Sequence, residues 1–223
     1  MQDPLSFWKA DFGRDYIQRN PPSAEHIEAA TEVFRRILTT SGIMGNVSSV
    51  LEVGANIGIN LQGLREVLGA EASLAALEPN HTACQQLKSA QALRLDRVIE
   101  GAAYSIPCSE NSFDLVFTNG VLIHIPPEQL DMALAEIVRV SKRYILCSEY
   151  FSHEPAAIEY RGRNGLLWKR DFGRAYLEAA PYLSVVSYGF LWQREFWDFD
   201  DLNWFLFEKP PLTNQSRPNP EPK

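Results

Sequence analysis

The sequence lacks the long apolar runs and the clusters of cysteine or histidine that mark several common protein classes. No apolar run in its 223 residues approaches the roughly 20 residues of a membrane-spanning helix. Cys84, Cys108 and Cys147 are far apart and form no C-x-x-C pair, which favours reduced thiols over a disulfide framework or a zinc site. The four scattered histidines give no metal-ligand spacing, so we expect no bound metal.

Basic stretches are also missing. The formal net charge is −7 and no long run of lysine or arginine occurs, which argues against nucleic acid as a partner. The first residues show no apolar leader, so we expect a cytoplasmic protein that does not associate with membranes. A hydrophobic fraction of 45% supports a well-packed core, and the length suits one α/β domain with a cap.

A buried strand, a tight turn and a helix are predicted around residues 50–69. The apolar run at 50–53 is followed by Gly54-x-Asn56-x-Gly58 and then by an amphipathic helix pattern. Asparagine is the non-glycine residue that best tolerates a positive φ angle, so Asn56 can replace a turn glycine. Such a unit brings the backbone close to a nucleotide-like ligand.

Two carboxylates indicate what kind of ligand this loop binds. Glu52 precedes the first glycine and would repel a pyrophosphate, and the Gly-x-Gly-x-x-Gly of dinucleotide sites is missing, which disfavours a nicotinamide dehydrogenase. A carboxylate there suits a cationic ligand such as S-adenosylmethionine. The next apolar run ends in Glu78, which can accept hydrogen bonds from both hydroxyls of a ribose. An ordinary strand–turn–helix without a ligand is the alternative.

Strands and helices alternate through the middle of the chain. The pattern predicts strands at 49–53, 73–78, 97–101, 113–118 and 143–149, and helices at 58–69, 80–90 and 127–141. This alternation indicates an α/β fold with a parallel sheet and helices on both faces. Two final strands, at 183–192 and 201–208, have no helix between them and predict a terminal hairpin with one antiparallel strand.

Composition divides the chain into four segments. We expect an N-terminal lid segment at 1–22, a main domain at 23–209 with an acceptor-side cap at 150–181, and a disordered proline-rich tail at 210–223. The lid segment is rich in aromatic residues and ends at Pro21-Pro22. The alternative for it is a structural staple onto the core. Ser23 and Asp171 are predicted helix N-caps.

Several motifs together resemble a known family. They are Glu52-Val53-Gly54-Ala55-Asn56-Ile57-Gly58, Glu78-Pro79-Asn80, Gly101-Ala102-Ala103 and Ser112-Phe113-Asp114-Leu115-Val116-Phe117. Over roughly residues 48–150 the chain resembles the class I S-adenosylmethionine-dependent methyltransferases. Further stretches run across most of the chain: Phe12-Gly13 with Tyr16 and Arg19-Asn20, Gly120-Val121-Leu122-Ile123-His124-Ile125, Glu149-Tyr150-Phe151 with Tyr160-Arg161-Gly162, Trp168 to Phe172, and Tyr188-Gly189-Phe190. With these, it resembles bacterial methylases associated with pseudaminic acid biosynthesis and surface polysaccharide clusters.

The resemblance implies a Rossmann-like fold with a mostly parallel seven-stranded sheet, a C-terminal antiparallel hairpin and S-adenosylmethionine as cofactor. The residues at the matching cofactor positions are Glu52, Gly54, Ala55, Asn56, Gly58, Asn60, Glu78, Pro79, Ala102, Ala103, Asn119 and Gly120. A plain turn is the alternative for the last two. Tyr16, Arg19 and Asn20 are expected to close over the cofactor from the lid segment.

The chain departs from the family pattern after the third strand. Many members carry an aspartate after the glycine that ends this strand, where it binds the adenine amino group. Here Gly101 is followed by Ala102 and Ala103. We therefore expect backbone groups and apolar contacts near Ala103 and Tyr104 to hold the adenine.

Methyl transfer to a hydroxyl group is helped by a general base. His124 follows the fourth strand at the edge where open α/β sheets bind ligands, and apolar neighbours would keep its imidazole neutral. Glu149 ends the fifth strand at the same edge and is the second candidate base. The alternatives are a capping or core role for the histidine and an ordinary strand-end carboxylate for the glutamate.

The cap segment carries the candidate acceptor-binding residues, which are Tyr150, Tyr160, Arg161, Lys169 and Arg170. The cations can bind a carboxylate or a nucleotide phosphate, although a solvated charged face is an equally good interpretation. We expect a small-molecule acceptor, a sugar or nucleotide-activated sugar, methylated on oxygen or nitrogen. A different hypothesis is a non-catalytic partner subunit that binds adenosine ligands through a degenerate methyltransferase fold.

Overall fold

The computed structural model describes residues 4–19, 21–196 and 199–211. The strands are β1 Ser49–Val53, β2 Ser73–Glu78, β3 Arg97–Glu100, β4 Phe113–Asn119, β5 Ser141–Glu149, β6 Ala156–Tyr160, β7 Arg163–Lys169, β8 Ser184–Leu191 and β9 Leu202–Glu208. In this part of the chain, seven strands form one sheet in the order β3-β2-β1-β4-β5-β9-β8. The first five strands in this order pair in parallel with one another, and β9 is antiparallel to both of its neighbours, β5 and β8. The predicted parallel sheet with a terminal hairpin is confirmed.

The helices are α1 Pro4–Lys9, α2 Asp11–Arg19, α3 Ala24–Thr40, α4 Ile59–Leu68, α5 His81–Ser89, α6 Pro127–Val140 and α7 Phe172–Ala179. Local sequence signals explain where several of them begin. The Ser23 side chain accepts a hydrogen bond from the His26 N–H, and Asp171 does the same for Arg174, so both predicted N-caps are confirmed. Proline at 127 occupies the first turn of α6, where its missing N–H costs nothing.

The core lies on both faces of the sheet because neighbouring strand residues point to opposite sides. Val50 of β1 belongs to the cluster that contains α3 and α4, whereas the adjacent Leu51 belongs to the cluster of α6 and α7. Both side chains are fully buried. The continuous apolar strands of the sequence therefore reflect a sheet covered by helices on each face.

The segment between β5 and α7 forms a separate antiparallel hairpin of β6 and β7. Its two-residue turn is Arg161-Gly162, and both residues have positive φ angles, of 51° and 74°. The hairpin meets the N-terminal helices, because the Arg163 guanidinium lies 5.1 Å from the centre of the Phe7 ring. The Tyr160 and Phe12 rings are in edge contact at 6.0 Å. The hairpin and the N-terminal helices together cover the carboxyl edge of the sheet.

Among the described residues, no helix has both the length and the apolar character that a membrane span requires.

Helices α3 and α4 pack unusually close, and Gly63 makes this possible. A Cβ atom at Gly63 would lie 2.7 Å from the Thr31 nitrogen and 2.8 Å from Ala30. Both neighbours belong to the α3 backbone or its first side-chain carbon, so they cannot move aside as a flexible side chain would. The sequence shows only an ordinary glycine inside a helix at this position.

We expect Gly63→Ala to destabilise the protein by roughly 1–3 kcal/mol, because the extra methyl group must push the two helices apart. This loss outweighs the gain of about 1 kcal/mol that alanine brings to a helix interior. Urea unfolding followed by circular dichroism measures the change. The exposed Glu66→Ala variant in the same helix is the control, with an expected effect within about 0.5 kcal/mol. An alanine variant as stable as the unaltered protein would contradict the close-packing argument.

Candidate active site

A cavity of about 350 Å³ opens at the carboxyl ends of β1, β2 and β4, under the N-terminal helices. This volume falls in the usual range for small-molecule sites, roughly 300–1,000 Å³. The structure brings fifteen of the residues predicted from sequence into its wall: Tyr16, Glu52, Gly54, Ala55, Asn56, Asn60, Glu78, Pro79, Ala102, Ala103, Asn119, Gly120, His124, Tyr150 and Tyr160.

Other predicted site residues lie outside the cavity wall. They are Arg19, Gly58, Glu149, Arg161, Lys169 and Arg170, and Asn20 falls outside the described residues. Gly58 adopts a φ of 82° and begins α4 just behind the loop. Arg19 lies over the Phe12 ring at 5.4 Å, on the outer side of the N-terminal helices.

The loop after β1 has the backbone shape that its sequence predicts. Gly54 and Asn56 have φ angles of 78° and 47°, which confirms that an asparagine occupies a left-handed turn position here. A Cβ atom on Gly54 would lie 2.5 Å from a Val121 methyl group. Glycine is therefore needed at 54 both for its φ angle and for the close approach of the loop that follows β4.

The Glu78 carboxylate holds two loops together. One oxygen accepts a hydrogen bond from the Asn56 N–H at 2.8 Å, and the other accepts one from the Asn80 N–H at 2.8 Å. Burial raises the pKa of Glu78 to about 7, although the two N–H donors act in the opposite direction. The side chain still lines the cavity, so its remaining lone pairs face a ligand.

Glu52 lies deeper, with only 1% of its surface exposed. Its Oε1 accepts a hydrogen bond from Asn60 Nδ2 at 2.7 Å, whereas Oε2 has no partner among the described residues. Burial is the main cause that raises the pKa of Glu52 well above its ordinary value, and the nearby Glu78 charge adds to it. The Asn119 Oδ1 atom is also buried without a partner. Two such oxygens in one cavity wall suit a ligand that carries N–H donors or a positive charge.

The residues of this loop and of the strands around it also match a known family. Residues 51–144 match a methyltransferase domain. The match runs from β1 into β5 and includes Glu52, Glu78 and His124. No curated protein sequence matches the chain significantly.

Several solved structures with the same architecture are methyltransferases. Magnesium protoporphyrin IX methyltransferase from Synechocystis PCC 6803, solved with bound S-adenosylmethionine, is 11% identical, with a TM-score of 0.66 over 94% of this chain and 98% of its own. A SAM-dependent methyltransferase from Leishmania major is 17% identical, with a TM-score of 0.68 over 92% and 81%. The 1,6-didemethyltoxoflavin-N1-methyltransferase from Burkholderia thailandensis, solved with 1,6-didemethyltoxoflavin and S-adenosylhomocysteine, is 17% identical, with a TM-score of 0.63 over 92% and 84%. At these identities the likeness establishes the fold, and with the domain match it supports a SAM-dependent methyltransferase.

His124 lies in the short turn after β4 and lines the same cavity. Its Nδ1 atom is 2.7 Å from the Leu166 carbonyl oxygen, which can only accept, so Nδ1 carries the proton and Nε2 keeps a lone pair. The ring packs between Trp8 and Tyr160, with ring centres 4.7 and 5.1 Å away. Burial lowers the pKa of His124 to about 4. The imidazole is therefore neutral at pH 7, as the apolar sequence around it predicts.

Glu149 lies behind this histidine and not in the cavity wall, contrary to the sequence-based expectation of a second base. Its carboxylate accepts hydrogen bonds from the N–H groups of Val121, Leu122 and Ile123 at 3.1, 3.0 and 3.3 Å. These groups begin the short turn that carries His124. The side chain is 2% exposed, and burial raises its pKa to about 7. Its position makes Glu149 a support for the turn.

The N-terminal helices contribute cavity residues that the sequence did not single out. Trp8 lines the cavity, and its backbone oxygen accepts a hydrogen bond from Asn80 Nδ2 at 2.9 Å. A side chain on Gly13 would collide with this contact, since its Cβ would lie 2.5 Å from Asn80 Nδ2. Asn80 also caps α5, with its Oδ1 accepting from the Ala83 N–H. The aromatic composition of the segment was a signal, but nothing in the sequence indicated this link to Asn80.

The predicted acceptor-binding residues occupy two different places. Tyr150 and Tyr160 are in the cavity wall, and the Tyr150 hydroxyl donates a hydrogen bond to Asp200, a cavity residue that the sequence did not reveal. The Lys169 ammonium lies 4.7 Å from the Tyr150 ring centre and the Arg161 guanidinium 5.7 Å from that of Tyr160. These cations are therefore one ring away from the cavity, at its rim.

Glu149→Gln should reduce the dependence of stability on pH. The folded pKa of about 7 exceeds the ordinary value of 4.5, so the folded state holds this proton more tightly than the unfolded chain. The resulting stability is present below pH 4.5 and is lost as the pH rises through 7. We expect the fall in the free energy of unfolding between pH 4.5 and 8 to be smaller in the variant by roughly 2–3 kcal/mol. Urea unfolding at several pH values measures it, with the exposed Glu159→Gln as control. Equal pH slopes would contradict the buried-carboxyl assignment.

Proposed function

We propose that this methyltransferase acts on a hydroxyl group of a small polar acceptor, a sugar or a nucleotide-activated sugar. The observation that carries the proposal is the neutral His124, unprotonated on Nε2, which lines the same cavity as Glu52 with its unpartnered oxygen. One residue is suited to receive a proton, and the other is suited to a cationic cofactor.

The chain's own residues fit S-adenosylmethionine. When bound, this cofactor supplies an electrophilic methyl group on a sulfonium. Glu78 would accept hydrogen bonds from the ribose hydroxyls, since each of its oxygens has one protein donor and spare lone pairs. Glu52 Oε2 and Asn119 Oδ1 would accept from the ammonium group, which satisfies two buried oxygens that otherwise have no partner in the described chain.

Aromatic rings and hydrogen-bonding atoms surround the acceptor side. His124 Nε2 would take the proton of the acceptor hydroxyl as its oxygen binds the methyl carbon. The Trp8 Nε1–H is buried without a partner among the described residues and would donate to a second acceptor oxygen. The ring of Tyr160 offers an apolar face beside His124. A polyhydroxylated ring presents both hydroxyl donors and apolar C–H faces, which matches this arrangement.

The rim cations support the nucleotide-activated form. A sugar inside the cavity would leave its phosphates at the rim, near Arg161 and Lys169. The resemblance to methylases of pseudaminic acid and surface polysaccharide clusters supports the same acceptor class and a cytoplasmic location. In this proposal, residues 1–22 and 150–181 act as lid and cap over the acceptor.

Calorimetric titration with S-adenosylmethionine, S-adenosylhomocysteine and NAD tests the cofactor first. We expect micromolar binding of the first two and none of NAD. Incubation with labelled S-adenosylmethionine and panels of free and nucleotide-activated sugars then tests the acceptor. Binding of the cofactor without transfer to any sugar would overturn the acceptor class. Failure to bind either adenosyl ligand would favour a degenerate, non-catalytic partner subunit.

His124→Ala should lower kcat by about 10²–10⁴-fold, because the acceptor hydroxyl loses its base. The Kd for S-adenosylhomocysteine should stay within about twofold, since the lone pair faces the acceptor side. Initial-rate kinetics and calorimetry measure the two quantities, and the exposed His153→Ala variant is the control. Full activity in His124→Ala would remove His124 as the base.

Glu78→Gln and Glu78→Ala should weaken S-adenosylhomocysteine binding by about tenfold or more, because the ribose loses a charged hydrogen-bond acceptor. The pKa of about 7 adds a pH test. The carboxylate that accepts from the ribose forms as the pH rises from 6 to 8, so the affinity of the unaltered protein should rise over this interval. The Glu78→Gln variant should lack this rise. Unchanged affinity in Glu78→Ala would disprove the ribose assignment.

A further inference from the structure

One buried polar atom in the cavity wall has no role in the function proposed so far. Gln129 lines the cavity, and its Oε1 is buried without a partner among the described residues. Buried oxygens of this kind are rare unless water or a ligand satisfies them. The hydrogen bond between residues 129 and 126 joins the Gln129 N–H to the Pro126 carbonyl oxygen, so it leaves the Gln129 side-chain oxygen without a donor.

The register between α6 and the chain after β3 shows where Gln129 lies. The Ile106 N–H donates to Glu136, and the Cys108 carbonyl accepts from Arg139, so this segment runs in the same direction as the helix. Gln129 precedes Glu136 by two helical turns, about 10 Å towards the cavity. That position is level with residues 102–104, which leave β3 and line the same cavity.

The proposed ribose site places the adenine of the cofactor level with residues 102–104. Glu78 ends β2, and the next strand is joined to it by a hydrogen bond from the Gly101 N–H to the Glu78 carbonyl. When the ribose is hydrogen-bonded to Glu78, the adenine attached to it can extend over the loop that starts at Gly101. This loop offers Ala102 and Ala103, neither of which has a side-chain acceptor for an amino group. Of the orphan oxygens of the described cavity wall, those of Glu52 and Asn119 are assigned above to the ammonium group, which leaves Gln129 Oε1 for the adenine.

We propose that Gln129 reads the adenine edge of the cofactor, with Oε1 accepting from the 6-amino group and Nε2 donating to a ring nitrogen. An amide offers an acceptor and a donor side by side, which is the pattern that an adenine edge requires. This inference rests on S-adenosylmethionine being the cofactor. Recognition by an amide also has a consequence that recognition by a carboxylate would not have. The amide can rotate by 180° and so reverse its donor and acceptor, which lets the site accept a 6-oxo purine.

Calorimetric Kd values for three ligands test the assignment. The ligands are S-adenosylhomocysteine, its analogue without the 6-amino group, and S-inosylhomocysteine, which carries a 6-oxo group. The unaltered protein should bind the deaminated analogue about tenfold more weakly than S-adenosylhomocysteine. Gln129→Leu should lose about tenfold for S-adenosylhomocysteine and bind the two ligands equally.

Gln129→Glu separates recognition from a merely structural role. A carboxylate restores the acceptor for the amino group but repels a 6-oxo oxygen. This variant should therefore bind S-adenosylhomocysteine nearly as well as the unaltered protein and discriminate more strongly against S-inosylhomocysteine. Glu128→Leu, on the exposed side of the same helical turn, is the control and should leave all three Kd values unchanged.

The outcomes distinguish this inference from the cofactor proposal. Gln129→Leu that keeps the preference for the 6-amino group would overturn the role of Gln129 while leaving the cofactor intact. An unaltered protein that does not bind S-adenosylhomocysteine would overturn the cofactor proposal and this inference with it.

Discussion

The site depends on one buried carboxylate, that of Glu78, which ties the loop after β1 to the loop after β2. Its two oxygens accept from the backbone of Asn56 and Asn80, and Asn80 continues the connection to the Trp8 carbonyl. The side chains of Glu78 and Asn80 thus link the loop after β1, the start of α5 and the N-terminal helices. Backbone N–H groups at loop ends need an acceptor when water is excluded, and this carboxylate provides it. The shape of the cavity follows from that link.

A second buried carboxylate at the end of a strand, β5, accepts backbone hydrogen bonds in the same way. The Glu149 carboxylate accepts hydrogen bonds from the backbone of the turn that carries His124. Each side of the cavity is therefore stabilised by a strand-end carboxylate with a raised pKa. The carboxyl groups of Glu52, Glu78 and Glu149 are desolvated, and the His124 imidazole among them is neutral. Such an environment favours a positively charged ligand on one side and keeps an unprotonated imidazole nitrogen on the other. This electrostatic arrangement is the physical basis of the proposal of a cationic methyl donor and a hydroxyl acceptor.

Local patterns predicted much of this site, and remote contacts account for what they missed. Glu52, Asn56 and Glu78 lie at or just after strand ends, and parallel strands bring their carboxyl ends to one edge, so their proximity could be predicted from alternation alone. Trp8 and Gln129 reach the cavity through the packing of N-terminal helices and the register of α6, which no local pattern encodes. Arg161 and Lys169 were predicted as acceptor ligands, but neither lies in the cavity wall. Each instead has its cationic group near the ring of a tyrosine that does, Tyr160 and Tyr150 respectively. Whether a cation points inwards depends on the hairpin's register, which is a tertiary property.

The sequence by itself determined the positions along the chain of the seven strands of the main sheet, the caps at Ser23 and Asp171, and the left-handed turn at Asn56. These features depend on neighbours within a few residues, through periodicity, side-chain hydrogen bonds to nearby backbone, and allowed φ angles. Tertiary structure decided that Glu149 supports a turn, that His124 has its lone pair on Nε2, and that Gln129 keeps an unpartnered oxygen in the cavity. Each of these depends on which distant group arrives at a given atom, because burial and hydrogen bonding set the protonation and orientation of a side chain only once the chain has packed.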